Sequence, residues 1–95
     1  MQLPLDYYTL RTRRALERLE ALGKAQAMLV SLSENVAYLS GFAGGDSWLV
    51  IGAGGGRWLV TDSRYAEQAA GQAKDYRVVL RDGSTVFETL KSLLL

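Results

Sequence analysis

Two short apolar runs, Ser47-Trp48-Leu49-Val50-Ile51 and Arg57-Trp58-Leu59-Val60-Thr61, stand on either side of Gly52-Ala53-Gly54-Gly55-Gly56. Runs of this kind read as strands, and a glycine-rich connection with little side-chain bulk turns one back on the other. An antiparallel hairpin therefore occupies the middle of the chain. Upstream, Ala27–Leu32 is a short apolar run that reads as a buried strand, interior to the sheet, of the kind seen in parallel pairing. Downstream, Tyr76–Arg81 is a fourth strand.

Helical periodicity fills the intervals. Tyr8, Thr12, Ala15, Leu16, Leu19 and Leu22 recur at three- and four-residue spacings and predict one apolar face of a helix over 7–22. Asp6 is its expected N-cap and Gly23 its stop, and Arg13 and Glu17 are spaced to pair. Ser33 is placed to cap a short helix over 34–39. Asp62 or Ser63 is placed to cap a helix over 63–73, with Tyr65, Ala66, Ala69, Ala70 and Ala73 on its apolar face. After the turn Asp82-Gly83-Ser84, which also carries a cap, Val86, Phe87, Leu90, Leu93 and Leu94 line a last helix. Helices alternating with strands around one hairpin define an α/β fold: a mixed sheet with a central antiparallel hairpin and helices packed on it. Leu29, Val30, Leu49, Ile51, Leu59, Val78 and Leu80 are the expected core, with Leu16 and Leu19 packed on the sheet.

The chain has 95 residues and shows no internal repeat or low-complexity linker, so residues 1–95 read as one domain. It ends on Leu93-Leu94-Leu95, and this apolar ending reads as a C-terminal truncation. With no Cys, a disulfide scaffold, a thiolate metal site and a cysteine nucleophile are excluded. With no His, the commonest metal ligand and general base are missing too, which argues against a self-contained enzyme. A net charge of +1 makes no electrostatic case for nucleic acid. No segment reaches the roughly 18 apolar residues of a membrane span, and the N-terminus has no secretory h-region. The absence of Cys fits the cytoplasm.

A few features are candidates for chemistry. The Gly41–Asp46 loop is glycine-rich, but it runs from helix into strand and no Lys follows, the reverse of a phosphate-cradling loop. Its glycines read instead as backbone freedom in a tight connection. Thr61-Asp62-Ser63-Arg64-Tyr65 lies where a strand gives way to a helix, where open α/β sheets bind ligands. There Asp62 can accept from an amine and Arg64 can hold a carboxylate, or Asp62 simply caps the helix and pairs with Arg64. Asp46 and Asp62 can meet at one end of the sheet, as a pair of carboxylates around a hard cation does, but ten scattered carboxylates make such a coincidence common. Arg11, Arg14 and Arg18 form a stripe on the first helix, a solvated face or a docking surface for phosphate or an acidic protein. Trp48 and Trp58 cover a sheet face or belong to an interface.

Asn35-Val36-Ala37-Tyr38-Leu39-Ser40-Gly41-Phe42, followed by Thr61-Asp62-Ser63-Arg64-Tyr65 with Gln68-Ala69, forms the combination N-x-x-Y-L-x-G-F and T-D-x-R-Y-x-x-Q-A. Together with Leu16, Leu19, Gly23 and Ala27–Ser31, it resembles the N-terminal domain of the creatinase/prolidase family, from about Leu10 to Phe87. That family includes Xaa-Pro aminopeptidases and Xaa-Pro dipeptidases. The resemblance implies a non-catalytic domain that precedes a C-terminal pita-bread catalytic domain holding two divalent metals, manganese or cobalt, none of whose ligands lie in this chain. It implies a homodimer in which loops of this domain wall the partner subunit's active site against proline-containing peptides. On this chain those loops are Gly41–Ser47 and the start of Asp62–Tyr65, and Phe42, Asp46, Asp62 and Arg64 are the residues expected next to substrate, with Phe42 as the wall. The loop sequence Ala43-Gly44-Gly45-Asp46-Ser47 departs from the family's usual Thr, Ser and Gly mixture and leaves aminopeptidase and dipeptidase both open.

Two other readings stand beside this one. A free-standing interaction module of the same fold has a stop codon after Leu95, whereas a peptidase frame continues into metal-ligand motifs. A small ligand-binding protein using Arg64 and the Gly41–Asp46 loop gains thermal stability with carboxylates or phosphates.

Overall fold

The computed structural model describes residues 3–23, 27–52, 54–81, 83 and 85–94. The elements run α1 (Leu5–Leu22), β1 (Ala27–Val30), α2 (Ser33–Ser40), β2 (Trp48–Gly52), β3 (Arg57–Thr61), a 3-10 turn (Ser63–Tyr65), α3 (Ala66–Gln72), β4 (Arg77–Leu80) and α4 (Val86–Leu94). The strands form one mixed sheet in the order β1-β2-β3-β4. The hairpin is as expected, with Leu49 opposite Leu59 in an antiparallel ladder, and Gly55 takes the left-handed φ of 100° that its turn requires. β4 lies parallel to β3, with Val78 opposite Leu59.

β1 differs from expectation. Among the described residues it pairs only with β2, antiparallel, and so stands at an edge of the sheet and not in its interior. Because side chains alternate along a strand, Met28 and Val30 face the same way as Ile51 and Leu49, their ladder partners, while Leu29 faces the other way and is 49% exposed. Leu80 is also exposed, since it sits on the last rung of the outer ladder, opposite Thr61. The other expected core residues hold: Val30, Leu49, Ile51 and Leu59 are buried, and Val78 packs against them.

One face of the sheet carries the core. There Val36 and Leu39 of α2, Ala69 and Ala73 at α3, and Ala15 and Leu16 of α1 meet the strand side chains. On the opposite face Val50 and Val60 are almost wholly buried. Val50 lies across the ladder from Trp58 and Val60 from Trp48. The tryptophans thus cover the sheet, and the Arg81 guanidinium lies 5.2 Å from the Trp48 ring.

The helix ends differ in part from the expected caps. α1 begins after Pro4, so Asp6 stands inside the first turn, where its charge suits the helix dipole, and caps nothing with its side chain. Gly23 does end α1, at φ 73°. Leu22 is 69% exposed, beyond the reach of the core. Arg13 and Glu17 are not joined by an ion pair, as expected of a solvated pair that loses side-chain entropy on closing. Ser33 is the first residue of α2 and not its cap; the backbone oxygen of Leu32 accepts from Asn35 and Val36 instead. Ala70 of α3 is exposed. Asp82, Ser84 and the side chains of Val86, Phe87 and Leu94 lie outside the described residues. The cap of α4 is Thr85: its Oγ1 accepts from the Glu88 N–H at 3.1 Å, and its own N–H donates to Glu88 Oε1 at 3.0 Å, a reciprocal capping box.

Candidate functional site

Antiparallel pairing of β2 with β3 places the start of β2 beside the end of β3, Trp48 opposite Val60. The loop entering β2 and the segment leaving β3 therefore meet at one end of the sheet. The loop's direction is set at the end of α2. Buried Ser40 donates from Oγ to the Val36 oxygen at 2.6 Å and accepts from the Phe42 N–H at 3.1 Å. Gly41, at φ 85°, ends the helix and sends the chain inward.

Phe42 follows, and it is 1% exposed. In this domain the ring of the expected wall residue packs in the core and meets Tyr65 edge-on, centroids 5.9 Å apart. Gly44 passes directly over it. A Cβ on Gly44 would lie 2.3 Å from the Phe42 ring, and one on Gly45 would lie 3.3 Å from the Tyr65 hydroxyl. These two glycines are there for close approach; besides Gly41, the residue of the loop in the left-handed region is Asp46, at φ 46°. Asp tolerates that conformation better than most residues. The loop is also tied to α3, since the Ala43 N–H donates to Gln72 Oε1 at 3.0 Å. Sequence reading missed Gln72; its spacing from Gln68, with which it shares a hydrogen bond at 3.1 Å, was the available signal.

Asp46, Asp62 and Arg64, three of the expected site residues, come together at the surface. Asp46 turns its backbone oxygen to Thr61 Oγ1, which donates to it at 3.2 Å. Its carboxylate accepts from Arg64 Nη2 at 2.7 Å. Asp62 caps the turn by accepting from the Arg64 N–H at 3.0 Å, and its carboxylate also accepts from Arg64 Nε at 3.1 Å and Nη2 at 2.8 Å. The guanidinium lies 5.2 Å from the Tyr65 ring. These hydrogen bonds hold the Asp62 carboxyl below its ordinary range and raise Arg64 above its own. Both the capping reading and the pairing reading of Asp62 are thus realised at once.

This arrangement answers the chemical alternatives. Arg64 spends its Nε and Nη2 on two aspartates and is not poised for an incoming carboxylate. A guanidinium already stands between the two carboxylates, so the pair does not fit a metal ion, and among the described residues no three His, Cys, Asp or Glu side chains are grouped to hold one. Two carboxylates flank one guanidinium on an exposed ridge, in which Asp46 and Arg64 are 58% and 65% exposed, and the charge of Arg81 also acts on Asp62. Such a ridge can position a cationic group; it offers no activated nucleophile.

Fold and site together define an α/β domain whose two signature loops are fastened into one surface ridge. The chain belongs to the creatinase/prolidase N-terminal domain family, whose pattern it matches over residues 11–95. It is 37% identical over 62 residues to an uncharacterized peptidase, YqhT, of Bacillus subtilis, matching 65% of this chain and 17% of that protein. Its structure superposes on an Xaa-Pro aminopeptidase from Streptococcus pyogenes with a TM-score of 0.85 at 27% identity, covering 96% of this chain and 67% of that one. It superposes on the N-terminal domain of the cytoplasmic peptidase PepQ from Mycobacterium tuberculosis H37Rv with a TM-score of 0.68 at 39% identity, covering 78% and 58%. The chain thus spans less than a fifth of its curated relative. Among the described residues no helix is long and apolar enough to cross a membrane.

Proposed function

We propose that this domain is the non-catalytic N-terminal part of a cytoplasmic, proline-specific metallopeptidase, an Xaa-Pro aminopeptidase or dipeptidase. In that reading the catalytic domain of the same polypeptide holds the divalent metals, manganese or cobalt, and the domain helps form a homodimer and walls the partner's active site. The observation that carries it is the ridge Asp46–Arg64–Asp62, which joins the loop after the first family motif to the second motif and is backed by buried Phe42 and half-buried Tyr65. The exposed Asp46 carboxylate on this ridge suits the free amino end of a peptide. A ridge built on packed aromatic rings can limit or orient that end without touching the reacting bond. Family membership and the aminopeptidase and cytoplasmic peptidase among its structural relatives support the reading.

The test uses the full-length enzyme and a series of Xaa-Pro peptides of increasing length. Asp46→Ala, Asp62→Ala and Arg64→Ala are expected to raise KM or broaden the length preference, with a smaller change in kcat. Retention of wild-type KM and length profile by all three, in variants that melt normally, overturns the role of the ridge. The 95-residue chain alone is expected to hydrolyse no Xaa-Pro peptide when manganese or cobalt is added.

A further inference from the structure

We propose that the groove between α1, α2 and β1 is a docking site for an acidic, amphipathic polypeptide segment. This groove lies apart from the ridge and has a volume of about 710 Å³. Leu19, Met28, Val30 and Leu39 supply its apolar floor. At its lips stand Leu22, 69% exposed, and Tyr38, 56% exposed. Side chains of this size in one exposed concavity mark an interaction surface.

Charge selects the occupant. Arg11, Arg14 and Arg18 line the groove together with Asn35 and Tyr38, and among the described residues no carboxylate lines it. Arg11 is held in place: its Nη1 donates to the Tyr38 oxygen at 3.0 Å, and its guanidinium lies 4.0 Å from the Tyr38 ring and 5.6 Å from the Tyr8 ring. Arg14 and Arg18 pair with no carboxylate among the described residues. At the α-helical rise the row from Arg11 to Arg18 is roughly 10 Å long. One small anion satisfies one of the three guanidiniums, whereas successive acidic side chains of a peptide meet all three while its apolar side chains fill the floor. A bilayer cannot enter a concave groove, and nucleic acid would set phosphates on the arginines but leave the apolar floor empty.

The probe is a short fluorescein-labelled peptide with Glu interspersed among Leu and Trp, with a control in which Lys replaces each Glu. Binding to the 95-residue chain is read by fluorescence anisotropy at two salt concentrations. The acidic peptide is expected to bind about tenfold or more tightly than the basic one, and added salt to weaken it. The double variant Arg14→Glu/Arg18→Glu and the variant Leu22→Asp should each lose about tenfold in affinity, while Arg13→Glu, on α1 but outside the groove, should not. All substituted positions are exposed, and far-UV circular dichroism checks that each variant folds. Equal binding of both peptides, or acidic-peptide binding that survives Leu22→Asp and the double reversal, overturns the proposal. So does sedimentation showing that the groove is filled by a second copy of this chain, as a dimer abolished by Leu22→Asp.

Discussion

Gly44 lies so close over Phe42 that the space a methyl group needs is already taken by the ring. The ring is buried between Tyr65 and the sheet and cannot swing aside. Gly44→Ala is therefore expected to cost about 1–3 kcal/mol, the usual range for overpacking. Gly54→Ala, with nothing within 4 Å of its Cβ, should cost far less. Urea denaturation of the two variants compares them directly, and equal midpoints refute the close-approach role. A second residue-scale prediction concerns Tyr76, whose hydroxyl meets Thr12 Oγ1 at 2.7 Å while that oxygen donates to the Leu39 carbonyl at 3.2 Å. Burial pushes the Tyr76 phenol up to about 12, opposed by its hydrogen bond to Thr12. Between pH 10 and about 12 the unfolded chain loses this proton and the folded chain keeps it, so stability falls as pH rises, by about 3 kcal/mol over the window. Tyr76→Phe should remove that part of the alkaline slope. An unchanged slope, measured by denaturation between pH 8 and 12, places the titration elsewhere.

At the scale of elements, α4 rests on its first turn. The reciprocal bonds between Thr85 and Glu88 satisfy backbone N–H groups that a helix start otherwise leaves open. Thr85→Ala should cost about 1 kcal/mol and lower the helical circular dichroism signal; an undiminished signal and an unchanged melting temperature contradict it. Hydrogen bonds from the Thr85 backbone and side chain hold the Glu88 carboxyl below its ordinary range. The box is thus intact above the unfolded carboxylate range and opens as pH falls through the lowered value. This Thr-x-x-Glu pattern is written in the sequence, yet the polar turn Asp82-Gly83-Ser84 drew the expected cap one residue too early. α1 was legible from its periodicity, because a stripe of Tyr8, Thr12, Ala15, Leu16 and Leu19 has only one helical face to occupy. Its polar member Thr12 is wholly buried, and only the tertiary partners Leu39 and Tyr76 explain how that is tolerated.

For the whole molecule, the strand order places β2 and β3 inside the sheet, each laddered on both sides, and leaves β1 and β4 with one partner each among the described residues. Native-state hydrogen exchange should accordingly be slowest for amides of 48–52 and 57–61 and faster in 27–30 and 77–80. Equal protection of β1 and β2 would mean that a further strand covers the β1 edge. Hairpin, helix alternation and the two motifs followed from the sequence because each depends on residues close along the chain, through turn chemistry and periodicity. The edge position of β1, the exposure of Leu29 and Leu80, the burial of Phe42 beneath Gly44 and the sharing of Arg64 by Asp46 and Asp62 were decided by tertiary structure alone. Each depends on which distant segments share a ladder or a face, and an apolar run reads the same whether one neighbour or two will cover it.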